Sequence, residues 1–174
     1  YGRMIELQDG RLLAVAEALG GIAVTYSSNK GETWSSPRLI ASPPEKVFYA
    51  VPDVIQLSDG TILVGINPRP VAPYSTERRF GIRVVQSTDN GESWSEPMFD
   101  AQHTFNDGCW EPAFLELPSG EVQCYFANEN EYTGNDDQNI SMCRSFDKGK
   151  TWSDPVTICY RPGSRDGMPV PLLL

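Results

Sequence analysis

The chain contains 174 residues, of which 40% are hydrophobic, and its formal net charge is −9. This negative charge argues against nucleic acid or an anionic membrane as the main partner, and no stretch is long and apolar enough to span a bilayer. The four cysteines lack CxxC spacing, so a zinc site is not expected. No other metal and no cofactor is predicted.

Three segments are each predicted to form two strands joined by a tight glycine turn, namely residues 5–13, 55–63 and 115–123. A third strand is predicted after each of them, at residues 21–26, 82–86 and 140–144. A fourth, short strand is predicted at residues 38–40 and 156–158. One period therefore contains four antiparallel strands, which is the content of a β-propeller blade.

An eight-residue pattern, Ser-x-Asp-x-Gly-x-Thr-Trp with single replacements, follows each third strand. Its copies occupy residues 27–34, 87–94 and 145–152, so they are 60 and 58 residues apart and indicate one repeated supersecondary unit. The Ser and Asp oxygens can accept backbone N–H groups, and the glycine supplies positive φ, so each copy predicts a tight turn. The tryptophans are expected to pack between neighbouring sheets, where truncation to Ala costs roughly 3–5 kcal/mol.

These patterns resemble the Asp boxes of sialidase-like β-propellers, whose members have six blades. The resemblance implies an all-β fold with about three four-stranded antiparallel blades, at residues 1–45, 46–105 and 106–163, and the start of a fourth at 164–174. The chain is accordingly expected to be part of a longer protein. Its open sheet faces would be covered by the missing propeller blades or by self-association.

Charged residues recur where the innermost strands of successive blades would converge on a central channel. Alignment on the glycine turns places Arg3 and Asp53 at one repeat position and Glu111 two residues earlier. Because side chains alternate along a strand with period two, all three are expected to point to the same side. Because charges near a core are costly unless paired or solvated, we expect a polar pocket at one end of the channel.

Glu111 is the principal candidate for a catalytic residue. Pro112 predicts an extended backbone for it, and the neighbouring Trp110 could exclude water, which favours the protonated carboxyl group of a general acid in glycoside cleavage. The alternative is a structural glutamate paired with an arginine, such as Arg3 or Arg165.

Glycosidic hydrolysis normally needs a second carboxylate. Asp53 is the best-placed candidate, with ligand binding or arginine pairing as its alternative roles, and Asp166, Glu129 and Glu131 are further candidates. His103, the only histidine, is expected at the surface or in a turn. The predicted substrate-binding residues are Arg3, Trp110, Arg165, Asp166 and Glu129.

Segments 110–112, 125–129 and 165–169 resemble the exo-α-1,5-L-arabinanase family, a retaining branch of the sialidase-like propellers. The resemblance implies a glycosidase acting on a neutral polysaccharide or oligosaccharide such as α-1,5-arabinan. It also implies that Glu111 is the acid/base and that the nucleophile lies beyond Leu174, so that this chain alone would be inactive. An extracellular or periplasmic location is expected for such an enzyme, although the sequence contains no signal peptide.

Two alternatives remain open. Residues 1–5 and 12–17 resemble the first blade of sialidases, which implies that Arg3 binds a substrate carboxylate, but the loop at 18–21 lacks the acidic residue expected there. The second alternative is a non-catalytic propeller that binds carbohydrate, because Asp boxes also occur in propellers without enzymatic activity.

Overall fold

A computed structural model describes residues 1–97, 99–104, 108–132 and 134–174, and the side chains of residues 1–97, 108–132 and 134–174. Regular secondary structure within these ranges consists of β-strands. In chain order they are β1 (Gly2–Glu6), β2 (Leu12–Ala18), β3 (Gly21–Ser27), β4 (Arg38–Ala41), β5 (Val47–Gln56), β6 (Ile62–Pro70), β7 (Phe80–Ser87), β8 (Phe99–Thr104), β9 (Cys109–Glu116), β10 (Val122–Asn128), β11 (Asn139–Ser145) and β12 (Val156–Cys159). No helix in the described ranges is long and apolar enough to cross a membrane.

Each set of four consecutive strands forms one antiparallel sheet in simple up-and-down order. The first sheet contains β1–β4, the second β5–β8 and the third β9–β12. The registers repeat as well, since Leu12 faces Ser27, Ile62 faces Ser87 and Val122 faces Ser145. These sheets contain the strands that the sequence predicts.

The repeated register defines two ends for every sheet. At one end, here called the mouth end, the innermost strands β1, β5 and β9 begin beside the loops that follow β2, β6 and β10. At the opposite end, here called the box end, lie the glycine turns and the Asp boxes. β1 packs beside β5 and β5 beside β9, so the innermost strands run side by side as a propeller requires.

The core consists of two apolar layers between successive sheets. The first layer, between the first and second sheets, includes Val15, Val24 and Val64. The second layer, between the second and third sheets, includes Leu63 and Phe126. We call these two contacts the first and second junctions. Burial of this apolar surface holds the sheets together.

The Asp boxes form the predicted turns. In the second box, Ser87 Oγ accepts a hydrogen bond from the Gly91 N–H at 2.9 Å, and Asp89 Oδ1 accepts one from the Ser93 N–H at 2.8 Å. Gly91 has a φ of 87°, and the Trp94 indole N–H donates to its carbonyl at 3.2 Å. The first and third boxes repeat these contacts, with an Asn side chain at the Asp position of the first.

The box tryptophans do not all pack as predicted. Trp94 packs on the first apolar layer, and Trp152 packs on the second, where its ring stacks on Phe114 with 6.0 Å between centroids. Trp34 is 40% exposed, because the described chain places no sheet in front of the first one. The prediction that box tryptophans lie between sheets is thus right for the second and third boxes and wrong for the first.

The predicted blade limits stay predictions. The limit between the second and third blades, at residues 105 and 106, lies outside the described residues. His103 lies in β8 and not in a turn, and its side chain is outside the described set. Residues 164–174 contain one isolated bridge, between Gln138 and Arg165, in place of a strand.

Candidate functional site

The innermost strands of the second and third sheets have the same β-bulge near the mouth end. Ala50 pairs with Asn67 and Asp53 pairs with Gly65, so β5 has one more residue than β6 between these two pairs. β9 has the same extra residue beside β10. The residue before the proline in each bulge has a positive φ, 46° at Val51 and 59° at Glu111. The extended backbone predicted for Glu111 is therefore wrong, because the bulge adds a residue in the left-handed conformation. The bulge also breaks the unbroken alternation of side chains that the prediction assumed.

Glu111 projects its carboxylate toward the segment that follows the third sheet. Its Oε2 accepts a hydrogen bond from the Met168 N–H at 2.8 Å. A Cβ atom placed on Gly167 would lie 3.3 Å from this oxygen and 3.0 Å from Gln138 Nε2, so the segment approaches both groups closely. Within the described side chains, no arginine or lysine forms an ion pair with Glu111.

Arg3 and Asp53 form an ion pair, with 3.6 Å between Arg3 Nε and Asp53 Oδ1. Asp53 Oδ2 also accepts the Phe114 N–H at 2.9 Å, and its side chain is 16% exposed. Burial raises the pKa of Asp53, while the N–H groups of Phe114 and Val54 and the charge of Arg3 lower it. The structure thus brings Arg3 and Asp53 together, and neither is hydrogen-bonded to Glu111 in the described part.

Arg165 and Glu129 form a second ion pair at the mouth end. Arg165 Nη2 also donates to Gln138 Oε1 at 3.0 Å, and Nη1 donates to the Asp136 carbonyl at 2.7 Å. Glu129 Oε2 accepts the Gly108 N–H at 3.3 Å. Each arginine proposed as a structural partner for Glu111 is therefore engaged with a different carboxylate.

Asp166 is likewise engaged. Arg161 Nη2 donates to Asp166 Oδ1 at 2.6 Å, and this hydrogen bond is the main cause that lowers the pKa of Asp166. Its backbone carbonyl accepts the Gln138 side-chain amide at 2.7 Å. Asp166 therefore helps to fix the segment that donates to Glu111.

The Trp110 indole packs across the second junction. Its ring meets Phe80 edge-on at 5.6 Å, and the Arg69 guanidinium lies over it at 5.4 Å. Its buried Nε1 has no hydrogen-bond partner in the described part of the chain. These contacts place the indole against side chains of the second sheet.

One repeated position at the mouth end was not predicted from the sequence. Glu17 Oε1 accepts the Val51 N–H at 2.8 Å, and Asn67 Nδ2 donates to the Cys109 carbonyl at 2.5 Å. Both residues lie seven positions after the turn glycine of their sheet, where the third sheet has Ala127. The sequence signal for these contacts was a polar side chain at the same repeat position in two of the three sheets.

A cleft of about 550 Å³ opens between the first two sheets at the mouth end. Its walls include Glu17, Phe48 and Arg69, and Phe48 is exposed. No group of three or more His, Cys, Asp or Glu side chains suited to a metal ion occurs among the described residues. The mouth end thus presents carboxylates, guanidinium groups, side-chain amides and aromatic rings.

The repeated sheets and boxes agree with a known family model, that of the BNR repeat-like domain, which matches residues 4–166. The chain belongs to the BNR repeat-like domain family. Among curated relatives of this BNR repeat-like chain, the anhydrosialidase of Macrobdella decora is 25% identical over 141 residues, which is 79% of this chain and 17% of the relative.

Solved structures show the same fold. The α-L-arabinanase of Penicillium chrysogenum, complexed with arabinobiose, is 22% identical with a TM-score of 0.69, over 97% of this chain and 52% of that one. The α-L-arabinofuranosidase of Fusarium graminearum, complexed with an iminosugar inhibitor, is 21% identical with a TM-score of 0.72, over 97% and 51%. The BNR repeat-like chain thus spans about half the length of these structures. The predicted fold, three four-stranded blades of a β-propeller with Asp-box turns, is confirmed.

Proposed function

We propose that this BNR repeat-like chain forms part of a retaining glycoside hydrolase that acts on a neutral oligosaccharide or polysaccharide such as α-1,5-arabinan. The observation that carries the proposal is the state of Glu111. Its carboxylate lies at the mouth end, one oxygen is held by the Met168 N–H, and no described cation neutralises it. Asp53, Glu129 and Asp166, in contrast, are each committed to an arginine.

A carboxylate held at one oxygen leaves the other oxygen available to a substrate. The resemblance assigns Glu111 the acid/base role, and the same geometry would also suit a nucleophile. Either role requires a second carboxylate about 5–5.5 Å away in a retaining enzyme. The ion pair with Arg3 favours a supporting role for Asp53, so we expect the second carboxylate from blades outside these 174 residues.

Two observations support a neutral substrate, namely the ligand of a fold relative and the engagement of Arg3. The arabinanase structure contains arabinobiose, a neutral disaccharide. A sialidase is the second candidate, because a curated relative is an anhydrosialidase and Arg3 could attract a substrate carboxylate. The engagement of Arg3 with Asp53 leaves that guanidinium less available, which favours the neutral substrate.

Azide rescue tests both the activity and the role of Glu111. In the longest polypeptide that contains this chain, Glu111→Ala would be assayed with azide and an aryl arabinoside carrying a good leaving group. A glycosyl azide of retained configuration would support the acid/base role, whereas an inverted product would assign the nucleophile. Unchanged hydrolysis in the variant would contradict a catalytic Glu111.

A further inference from the structure

The second sheet extends further at the mouth end than the third sheet does. Beyond its bulge, β5 forms four more pairs with β6, whereas β9 forms two with β10. The additional length of the second sheet includes Phe48 and Arg69, which pair directly across the two strands. Both side chains line the cleft between the first two sheets, so this extension forms one wall of the cleft.

Phe48 presents an aromatic ring that the fold itself does not bury. The residue is 65% exposed and belongs to neither apolar layer. A large ring that stays in water at the wall of a cleft gains free energy when a ligand covers it. The ring can pack on the apolar C–H face of a sugar, as aromatic side chains in ligand sites pack on apolar parts of their ligands.

Arg69 supplies hydrogen-bond donors to the same cleft. Its guanidinium lies over the Trp110 ring at 5.4 Å, and its Nε donates to Asn67 Oδ1 at 3.3 Å. These two contacts leave both Nη groups without an acceptor among the described residues, so they are available to hydroxyl oxygens. Because Trp110 precedes Glu111 in the chain, the Arg69 guanidinium also connects the cleft to the candidate catalytic residue.

The size and charge of the cleft suit a neutral ligand. Its volume of about 550 Å³ lies within the range of roughly 300–1,000 Å³ that small-molecule sites occupy. The turn between β2 and β3 leaves space in the cleft, since a Cβ atom placed on Gly20 would meet no atom within 4 Å. The charged groups in its walls are the carboxylate of Glu17 and the guanidinium of Arg69, which offset each other.

We propose that this cleft is an outer subsite, which binds a neutral sugar unit of the substrate chain beyond the unit held at Glu111. Phe48 packs on the C–H face of that sugar, and Arg69 donates to its hydroxyl oxygens. The inference rests on the proposed function, because it concerns the same oligosaccharide. It makes long neutral chains better substrates than compounds with a single sugar unit.

Kinetics on two substrates of different length test the subsite in the longest polypeptide that contains this chain. Phe48→Ala should lower kcat/KM on linear α-1,5-arabinohexaose about tenfold. This loss should exceed the loss on an aryl arabinoside, which has one sugar unit, at least fivefold. Phe146→Ala removes another exposed phenylalanine, at the box end, and serves as the matched control. It should change neither value more than twofold.

A binding measurement separates the subsite from the proposed function. A wild type that hydrolyses neither substrate would contradict the proposed function, and isothermal titration calorimetry with arabinohexaose then tests the cleft by itself. Binding that Phe48→Ala weakens at least fivefold, and that Phe146→Ala leaves intact, would support the subsite. The absence of arabinohexaose binding would overturn it.

Three further results would overturn the inference. Equal losses on both substrates in Phe48→Ala would place the ring at the bond that is cleaved and not in an outer subsite. An unchanged kcat/KM on arabinohexaose, with or without a lower Tm, would show that Phe48 does not contact the substrate. Tighter binding of an acidic oligogalacturonide than of arabinohexaose would show that the cleft selects an anion.

Discussion

At the scale of single residues, the carboxylates of Glu111 and Glu17 accept the same kind of hydrogen bond from a backbone N–H group. Glu17 accepts the N–H of Val51 and Glu111 accepts the N–H of Met168, and both donors are left-handed residues that precede a proline. Strained backbone of this kind persists only where surrounding contacts hold it. The N–H contact is thus a repeated structural feature, and the catalytic proposal for Glu111 rests on its unpaired charge and its position.

The ion pair of Arg3 with Asp53 gives a first prediction. Burial raises the pKa of Asp53 and Arg3 lowers it, so Arg3→Met should raise this pKa further. Carbon-13 NMR titration of the aspartate carboxyl groups measures the change. Arg11→Met, which removes the partner of Asp9, should leave Asp53 unchanged. A lower Asp53 pKa in Arg3→Met would contradict the ion pair.

The pKa of Asp89 is lowered, whereas that of Asp53 is raised, and this gives a second prediction. Hydrogen bonds, first from the Ser93 hydroxyl, lower its pKa to about 2 from 3.8. Its charge therefore stabilises the folded chain above about pH 4, and this contribution is lost as the pH falls toward about 2. Asp89→Asn, which copies the side chain of the first box, should be less stable than wild type at pH 7 in urea unfolding. The difference should vanish near pH 2, and a pH-independent difference would argue against the charge.

At the scale of elements, the tryptophan of an Asp box stabilises the chain by packing on the apolar layer between its own sheet and the preceding sheet. Trp94→Ala should lower the free energy of unfolding by about 3 kcal/mol, because the ring packs on the first apolar layer. Trp34→Ala should lower it by roughly 1 kcal/mol or less, because that ring is exposed and no described sheet lies in front of it. Urea titration of both variants makes the comparison. Equal losses would show that the box tryptophan stabilises its own turn and not the junction.

The strands and boxes could be predicted from sequence because their determinants are local. A glycine with positive φ, an Asp or Asn accepting backbone N–H groups and alternating apolar residues recur in every period. The bulge at Glu111 could not be predicted in this way, since Pro112 by itself favours an extended residue before it. The bulge is a feature of the pairing of β9 with β10, and the Glu111 side chain contacts Met168, 57 residues further along the chain.

That Arg3, Asp53, Glu111 and Arg165 lie near the mouth end could be predicted from their repeat positions, whereas the way they pair could not. Arg3 with Asp53, and Glu129 with Arg165, are joined across 50 and 36 residues of sequence respectively, so spacing within one period does not identify the partners. Arg3 and Arg165, the alternative partners considered for Glu111, are instead paired with Asp53 and Glu129. Glu17 was overlooked because its repeat position has no acidic residue in the other two sheets.

At the scale of the whole molecule, the three sheets form an arc that is held together at two apolar junctions. The solved arabinanase and arabinofuranosidase are about twice as long as the matched region. In the proposed enzyme, the arc contributes Glu111 and the segment that holds it, and further blades contribute the second carboxylate. Our proposal therefore assigns the activity to the completed propeller and not to this arc by itself.

The most direct test of this account compares turnover of linear α-1,5-arabino-oligosaccharides and a sialyl conjugate by the longest polypeptide that contains this chain. Glu111→Gln should lower kcat at least a thousandfold on the arabino-oligosaccharides. Glu17→Gln, which alters the same kind of N–H contact in the first sheet, serves as the matched control and should lower kcat by less than about tenfold. Equal effects of the two substitutions, or release of sialic acid in place of arabinose or arabinobiose, would contradict the account.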